Sequence, residues 1–509
     1  MAAAKPIPSL IYHPERIGFL ELVLLLFSRS NANLSFVDPE YEWLFKDESG
    51  DNTFLVILAL ILRKILAFIS QPLKIFGGAI EYGLNLLSIN GGILGLITNI
   101  IEGKTVLPVP ESGDYRSIIS LVDGREELYK DSLYSPLPSL EGNDAIFSER
   151  RLVDLCMKAS KVAYENKNYI QRVVINVWNM HLVGAFDFWN AFQKEKNTQA
   201  FMFCDKAKDI EAIVVAFRGT EAFSAKDWDT DLDLSYIQLG SLGRAHVGFL
   251  KGLGLTDEND YVKGLPIDDE RIDKALNPFA YYTIREKLRT LLKENPKAKF
   301  VVTGHSLGGA LAVLMTTILL LHKEDEIMER CLGVFTFGQP RVGDEDLSEF
   351  MDKKLNEPTK RYYRVVYRYD LVPRVPFSEL ISNFQHSGEC LYYRNWYNGK
   401  IMDKMPNANY FSLKYLVSHY FNAWLDFFWS FVLWHFEGED YKEGIASTVF
   451  RAFGFLIPGI ASHSPRDYVN YARLAKRKKW QLLDYFTPAS SIEGTKLSEE
   501  VKSMVDYVF

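Results

Sequence analysis

The chain has 509 residues, more than one ordinary domain, and its 48% hydrophobic and 14% aromatic content supplies a large core. A net charge of −7 argues against nucleic acid as the main partner. The 4 cysteines are scattered without C-x-x-C spacing, which predicts a reducing compartment and no zinc site.

The N-terminal region, residues 1–102, is expected to associate with a membrane or another lipid surface. Its first apolar run, 17–27, resembles the core of a signal peptide. Glu21 interrupts that run and no small-residue cleavage site follows, so we expect no secretion. Later apolar runs occupy 54–69 and 75–101.

These later runs do not form one uninterrupted apolar span. A spanning helix needs about 20 consecutive apolar residues, and a charge at the membrane centre costs about 2.5–3.5 kcal/mol. Arg63 and Lys64 interrupt the first run, and Pro72 separates it from the second. The pattern favours a re-entrant hairpin or helices lying in the interface. The alternative is a pair of buried helices packed on the larger domain.

The boundaries of the remaining regions follow from composition. Residues 103–148 are rich in turn formers and are interpreted as a linker. Periodic structure resumes near residue 149, and we expect the main domain to cover 149–490, with an insertion at about 399–460. Residues 491–509 are expected to form a C-terminal tail.

The main domain is predicted to be α/β, with a mainly parallel sheet covered by helices on both faces. Strand-like apolar runs alternate with helical patterns along it. Strands are expected at 198–203, 212–217, 300–303, 333–337 and 361–369, and an amphipathic helix is expected at 282–294.

The loop after the second of these strands, residues 218–233, is a candidate for binding a developing oxyanion. The amide of Thr220 lies just past a strand end, and its hydroxyl is a candidate second donor. Alternatively, the loop is an ordinary strand-to-helix connection capped by threonine. The amphipathic stretch after Thr220, with Phe223 and Trp228, is a candidate lid.

A G-x-S-x-G pentapeptide centred on Ser306 predicts a nucleophile. It lies between a strand and a mostly apolar helix, the context of a nucleophile elbow. Gly304 and Gly308 keep side chains out of the places where the strand and the helix approach each other. The amide of Leu307 is expected to face the oxyanion together with that of Thr220.

A serine nucleophile needs an imidazole base held by a carboxylate, and in α/β-hydrolases the acid precedes the histidine in the chain. Asp370 follows a predicted strand and precedes prolines that prevent its continuation. His463 lies in a loop before a helix, so we expect Ser306, Asp370 and His463 to form a catalytic triad. His386 is expected to be structural, within a strand, and His419 and His435 to be interfacial or buried residues. His246 and His305 lie outside the expected order, and His305 is expected to pack or hydrogen-bond locally.

Two further segments left alternatives open. The aromatic run 420–434 in the insertion either contacts a lipid surface or forms a wall of an acyl pocket. The basic run 476–479 either contacts anionic headgroups or forms a solvated helix face.

Together these motifs resemble the class 3 (fungal-type) triacylglycerol lipase family. The similar stretches are 217–220, 304–308, 336–343, 370–376 and the loop of His463. The resemblance implies an α/β-hydrolase fold, with the first stretch supplying the oxyanion hole and the adjacent flap and the second the nucleophile. The N-terminal region and 463–467 look most similar to plant oil-body lipases, although the long insertion departs from the family pattern.

That resemblance implies hydrolysis of triacylglycerols, and of di- and monoacylglycerols, at the lipid droplet surface, with the endoplasmic reticulum as a second location. It implies no metal and no organic cofactor. Two rival functions stay open at this point. One is an A1-type acyl hydrolase of phospholipids or galactolipids, and the other is an inactive protein that coats or tethers droplets. The sequence gives no indication of oligomeric state.

Overall fold

The computed structural model describes residues 9–27, 33–45, 50–126, 128–129, 145–221, 223–255, 265–268, 277–376, 383–393, 397, 399–402, 405 and 413–475. The basic run 476–479 and the tail 491–509 lie outside the described residues.

The strands form one 8-stranded sheet and one 3-stranded sheet. In chain order they are β1 (Ser9–Leu10), β2 (His181–Asn190), β3 (Glu195–Cys204), β4 (Ala212–Phe217), β5 (Tyr236–Gln238), β6 (Arg244–His246), β7 (Lys299–His305), β8 (Cys331–Phe337), β9 (Tyr362–Tyr367), β10 (Glu389–Tyr393) and β11 (Gly399–Met402).

The described helices pack around these sheets. They are α1 (Phe19–Phe27), α2 (Gly50–Ile89), α3 (Gly92–Ile101), α4 (Ile118–Asp123), α5 (Ala145–Val162), α6 (Lys167–Gln171), α7 (Ala225–Leu232), α8 (Val247–Gly252), α9 (Ala280–Glu294), α10 (Leu307–Leu321), α11 (Asp325–Met328), α12 (Glu345–Asn356), α13 (Leu413–Glu437), α14 (Ile445–Phe453) and α15 (Pro465–Leu474).

The large sheet has the order β11-β10-β9-β8-β7-β4-β3-β2. Its centre, from β10 to β4, is parallel, and the pairs at both edges are antiparallel. Because the carboxyl ends of parallel strands meet at one edge, the loops after β4, β7 and β9 converge. The predicted α/β-hydrolase class is confirmed.

Both faces of the sheet are buried, as its near-continuous apolar strands require. Successive residues of β4 alternate between two cores: Ile213, Val215 and Phe217 pack in a cluster with α9 and α10. Val214 and Ala216 pack in another cluster with α5 and α15. The helices on the two faces thus hold the central strands rigidly, which fixes the loops at their ends.

The N-terminal region shares a hydrophobic core with the main domain. Strand β1 pairs antiparallel with β5. Apolar side chains of β1, α1 and the first half of α2 form one cluster with Leu234, Tyr236 and Phe384. The inner face of this region is therefore buried against the main domain, as the alternative of buried helices predicts.

Helix α2 differs from the sequence expectation of a break near Pro72. It is a continuous helix of 40 residues with Pro72 inside. A proline in a helix interior costs about 3 kcal/mol, which contacts with the main domain on both sides of it offset. Arg63 pairs with Asp229 before the proline, and Phe76 lies against Phe223 after it. The segment Thr53–Ile89 is long and apolar enough to cross a membrane by length and composition alone.

The region interpreted as a linker contains helix α4, and Asp123 at its end is buried. The carboxylate of Asp123 pairs with Arg125, Lys161 and Arg466. Arg466 lies in α15, directly after the loop that carries His463. Part of this region is therefore fastened to the neighbourhood of the candidate catalytic histidine.

Candidate active site

Ser306 occupies the sharp turn between β7 and α10, with φ 59° and ψ −134°. Positive φ is strained for a residue with a side chain and is found at functional turns. The turn is possible only because its flanking residues lack Cβ atoms. A Cβ on Gly304 would lie 2.1 Å from the carbonyl oxygen of Gly308, and one on Gly308 would lie 2.3 Å from that of Phe217.

Asp370 and His463 meet at the same edge of the sheet. The imidazole Nδ1 of His463 lies 2.8 Å from Oδ2 and 3.0 Å from Oδ1 of Asp370. The amide of Val372 donates to Oδ1 at 2.9 Å, and the hydroxyl of Tyr468 donates to Oδ2 at 2.5 Å. Because carboxylate oxygens accept hydrogen bonds, Nδ1 of His463 is the donor to this fully buried side chain and carries a proton.

The other imidazole nitrogen of His463, Nε2, is buried and has no hydrogen-bond partner among the described residues. Space for the Asp370–His463 pair comes from Gly338, which has φ +59°. A Cβ there would lie 2.9 Å from both Asp370 Oδ2 and His463 Cε1. The side chain of His463 is 12% exposed and the whole of Ser306 is 2% exposed, so the site is closed to water in this conformation.

His305 ties the serine turn to the histidine loop. Its Nε2 lies 3.0 Å from the carbonyl oxygen of His463, and its Nδ1 lies 2.9 Å from the hydroxyl of Tyr164. Burial, reinforced by the nearby His463, lowers the pKa of His305 well below its usual value. The ring is therefore neutral, and Nε2 must be the protonated nitrogen because a carbonyl only accepts. The His305 and His463 rings stand 4.5 Å apart.

The oxyanion candidates lie beside the same turn. Leu307 is the first residue of α10, and amides of a first helical turn have no partner within the helix. A Cβ on Gly219 would lie 3.0 Å from Cβ of Ser306, so the Thr220 loop passes directly against the serine. The hydroxyl of Thr220 donates to Oδ2 of Asp231 at 2.7 Å. It is engaged there rather than free as the second donor expected from the sequence.

Asp231 is unusual because its carboxyl group is fully buried. Burial raises its pKa to about 8, although the bond from Thr220 opposes the shift. Its Oδ1 has no hydrogen-bond partner within the described part of the chain. The side chain that supports Thr220 is therefore protonated at neutral pH.

The candidate lid forms helix α7, and it lies against α2. Ser224 caps α7 by accepting a bond from the amide of Asp227. Phe223 packs on α2: a Cβ on Gly77 would lie 2.4 Å from Cβ of Phe223, and the Phe76 ring stands 6.1 Å away. Trp228 is half-buried. The candidate lid thus contacts the N-terminal region.

Three other histidines take structural positions, whereas His435 is exposed in the last turn of α13. His386 was expected within a strand, but that strand begins only at Glu389, after Gly388 with φ +78°. Nε2 of His386 bonds to the carbonyl of Pro373 at 2.7 Å. His246 caps α8, and His419 packs against the ring of Tyr369. Within the described residues, no group of three or more His, Cys, Asp or Glu could hold a metal ion.

Sequence reasoning missed three residues of this site: Tyr468, Gly338 and Tyr164. Gly338 and Tyr468 lie within or just after stretches already singled out, 336–343 and the loop of His463. No sequence signal points to Tyr164, because it lies just after α5, and only the tertiary fold packs α5 against β7.

The chain is similar to several known lipases. The model of the family "Lipase (class 3)" matches residues 214–380. A protein named triacylglycerol lipase OBL1 from Nicotiana tabacum is 40% identical over 492 residues, covering 86% of each chain. Its namesake from Arabidopsis thaliana is 38% identical over 499 residues, covering 93% of this chain and 96% of its own. The solved structure of Rhizomucor miehei triacylglyceride lipase is similar at 20% identity and a TM-score of 0.35, covering 51% of this chain and 84% of its own.

Proposed function

The chain belongs to the class 3 lipase family, whose members hydrolyse esters, and we propose that its own reaction is hydrolysis of triacylglycerols at the surface of lipid droplets. The relatives named triacylglycerol lipase support the substrate. In the proposed mechanism, Ser306 is the nucleophile, His463 the base and Asp370 the acid that orients the base. The observation that carries the proposal is the Asp370–His463 pair held beside the strained serine turn.

The protonation pattern supports this assignment of roles. With the proton on Nδ1 directed at Asp370, the lone pair of His463 lies on Nε2, the nitrogen that removes the serine proton. Ser306 then attacks the ester carbonyl and forms a tetrahedral intermediate. Protonated His463 next donates to the leaving glycerol oxygen. Water, activated by the same base, hydrolyses the acyl-enzyme and regenerates Ser306.

The amides of Thr220 and Leu307 are proposed to stabilise the negative oxygen of both tetrahedral intermediates. Removing one donor of this kind typically costs about 2.7–4 kcal/mol in the barrier. Gly219 supports this role because its lack of a Cβ lets the Thr220 loop approach Ser306. Because Ser306 is only 2% exposed, part of the structure around it must move before a triacylglycerol reaches the serine.

Exposed apolar surface supports attachment to a lipid monolayer. Burying apolar area contributes about 25 cal/mol per Å², so a few hundred Å² is sufficient to hold a protein at an oil surface. Many large apolar side chains on α2, α3 and α13 have more than a third of their surface exposed, and α1 and α14 carry others. They are Phe54, Leu62, Ile65, Phe68, Ile75, Phe76, Tyr82 and Ile89 on α2; Ile93, Leu94, Ile97, Ile100 and Ile101 on α3; Val417, Tyr420, Phe421, Trp424, Leu425, Phe428, Phe431, Val432 and Phe436 on α13. This exposure favours the lipid-contact interpretation of the aromatic run over an acyl-pocket wall.

The contacts of α2 support a helix that lies in the interface rather than spanning a bilayer. Its 40 residues measure about 60 Å, twice the roughly 30 Å of a hydrocarbon core. Arg63 is fastened to Asp229, and Glu81 accepts a bond from the amide of Ile118. Insertion across a bilayer would break both attachments and leave Arg63 unpaired, which costs several kcal/mol.

The substrate is tested by assaying the purified full chain on triolein emulsion and on phosphatidylcholine and galactolipid vesicles. We expect acyl release mainly from triolein and none above a mock preparation for Ser306→Ala. Faster release from either vesicle would assign the membrane acyl hydrolase instead. Equal release by Ser306→Ala would favour the inactive droplet protein.

The location is tested with fluorescently tagged full-length variants in droplet-rich cells. Deleting residues 1–102 would remove part of a shared core, so point substitutions are the sharper design. Phe68 is 87% exposed and Leu94 80% exposed, and we expect Phe68→Asp combined with Leu94→Asp to reduce droplet association. Lys208→Asp, at an exposed polar position of the main domain, is the matched control. Equal droplet labelling by both variants would refute attachment through these helices.

A further inference from the structure

Arg63 is a buried charge in the middle of an apolar helix. It is 7% exposed, and its guanidinium lies 5.8 Å above the ring of Phe192. Burying an arginine is costly unless carboxylates compensate its charge. Its Nε donates to Asp229 at 2.7 Å and its Nη1 donates to Asp233 at 2.7 Å. One side chain of α2 therefore bridges the last turn of α7 and the residue directly after it.

The acidic residues of α7 bind the oxyanion loop on the other side. Asp231 accepts the hydroxyl of Thr220 at 2.7 Å, and Asp227 accepts the amide of Glu221 at 3.0 Å. Helix α7 has only 8 residues, so its position depends on such contacts more than on its own stability. The carboxylates that Arg63 holds lie two positions to either side of Asp231.

We propose that Arg63 is a positioning residue for catalysis: by fixing α7 from outside, it fixes Asp231 and thereby Thr220 beside Ser306. Helix α2 then completes the active site in addition to facing lipid. The inference rests on the proposed function, because it presumes that Thr220 binds the oxyanion. Donors to an oxyanion must lie about 2.7–3.1 Å from it, so a shift of α7 by 1 Å is enough to impair them.

The test compares full-length variants on a soluble ester, p-nitrophenyl butyrate, so that lipid binding does not limit the rate. Arg63→Met keeps the apolar stem and removes the guanidinium. We expect kcat to fall about 10- to 100-fold, because complete loss of one oxyanion donor lowers kcat by at least about 100-fold. KM should stay within about twofold, because Arg63 touches no substrate. The matched control is Arg16→Met, which removes an exposed arginine paired with Asp38 at 2.7 Å in the same region. Its kinetics should equal those of the wild type.

A double-mutant cycle separates positioning from general stabilisation. Thr220→Val removes the hydroxyl that donates to Asp231, the contact on which the proposal depends, and retains the amide. If Arg63 acts through Thr220, the double variant R63M/T220V should be about as slow as T220V alone. If the decrease in kcat of the double variant equals the product of the two single decreases, the proposal is overturned, because the residues then act independently.

Removing Arg63 alone leaves two acids without their cation, so a second variant, R63M/D229N/D233N, removes all three charges. We expect it to melt near the wild-type temperature, with kcat lowered as in R63M. A wild-type kcat in either folded variant would overturn the positioning role of Arg63 and leave the proposed function standing. Equal hydrolysis by wild type and Ser306→Ala would instead overturn the proposed function and this inference with it.

Discussion

Replacing Asp370 with Asn tests how the histidine base is held. In the structure, Oδ1 of Asp370 accepts the amide of Val372 at 2.9 Å, and Oδ2 accepts the hydroxyl of Tyr468 at 2.5 Å. An asparagine must keep its oxygen toward Val372, because a backbone amide only donates. Its NH₂ group then points at the hydroxyl of Tyr468, which can rotate and accept a hydrogen bond. The same NH₂ group points at Nδ1 of His463, and this contact favours the tautomer in which Nδ1 is unprotonated and accepts.

The size of the effect follows from that change of tautomer. A His463 that accepts at Nδ1 carries its proton on Nε2 and cannot remove the proton of Ser306. The variant also lacks the negative charge that stabilises the imidazolium formed during attack. In serine hydrolases, loss of the correct tautomer by this substitution lowers kcat about 10⁴-fold. That corresponds to about 5.5 kcal/mol in the barrier.

The assay is kcat on p-nitrophenyl butyrate, with the melting temperature measured in parallel to show that the variant is folded. Asp344→Asn is the matched control, because Asp344 is also buried but serves as the N-cap of α12, a position that asparagine fills equally well. A folded Asp370→Asn enzyme within tenfold of wild type would refute the assignment of Asp370 as the orienting acid.

Three further substitutions test other contacts of the site. Tyr468→Phe should lower kcat about tenfold and leave KM unchanged, because it removes one hydrogen bond to a charged carboxylate; unchanged kcat would make that bond dispensable. Asp231 has a pKa of about 4 in the unfolded chain and about 8 in the folded protein. Between these pH values the folded state retains a proton that the unfolded state releases, so the stability of the wild type decreases as pH rises from about 4 to 8. Denaturant titrations should therefore show Asp231→Asn gaining stability relative to wild type as pH rises from about 4 to 8, and a constant difference would contradict the buried protonated carboxyl. Gly304→Ala would place a Cβ 2.1 Å from a carbonyl oxygen, so it should abolish activity and lower the free energy of unfolding by at least about 1–3 kcal/mol. Gly83→Ala in α2 is the control: a Cβ there has nothing within 4 Å, so circular-dichroism melting should show it to be neutral or stabilising.

Much of the sheet and of the candidate site is predictable because it depends on local signals. Apolar runs bounded by turn residues predicted β4, β7, β8 and β9, and the glycines around Ser306 indicated the strained turn. Asp370 and His463 were selected by chain order and by their positions at element ends. Their contact is tertiary, but the requirement for an acid and a base after the serine restricted the choice.

The fastening of the N-terminal region was not predictable in the same way. Arg63 interrupts an apolar run, and from the sequence alone it signals only a cost of inserting that run into lipid. Its partners Asp229 and Asp233 lie 166 and 170 residues away in the chain. The continuation of α2 through Pro72 likewise depends on contacts with the main domain. Local propensity could not account for contacts formed between such distant segments.

The shared core of the N-terminal region constrains how this protein can be regulated. Because β1, α1 and the first half of α2 bury their side chains with Leu234, Tyr236 and Phe384, a protease that cut the chain after α2 would not release a working soluble enzyme. Separating the fragments would strip the catalytic half of part of its interior. Cleavage there would therefore inactivate the enzyme and would not convert it into a second, freely diffusing form.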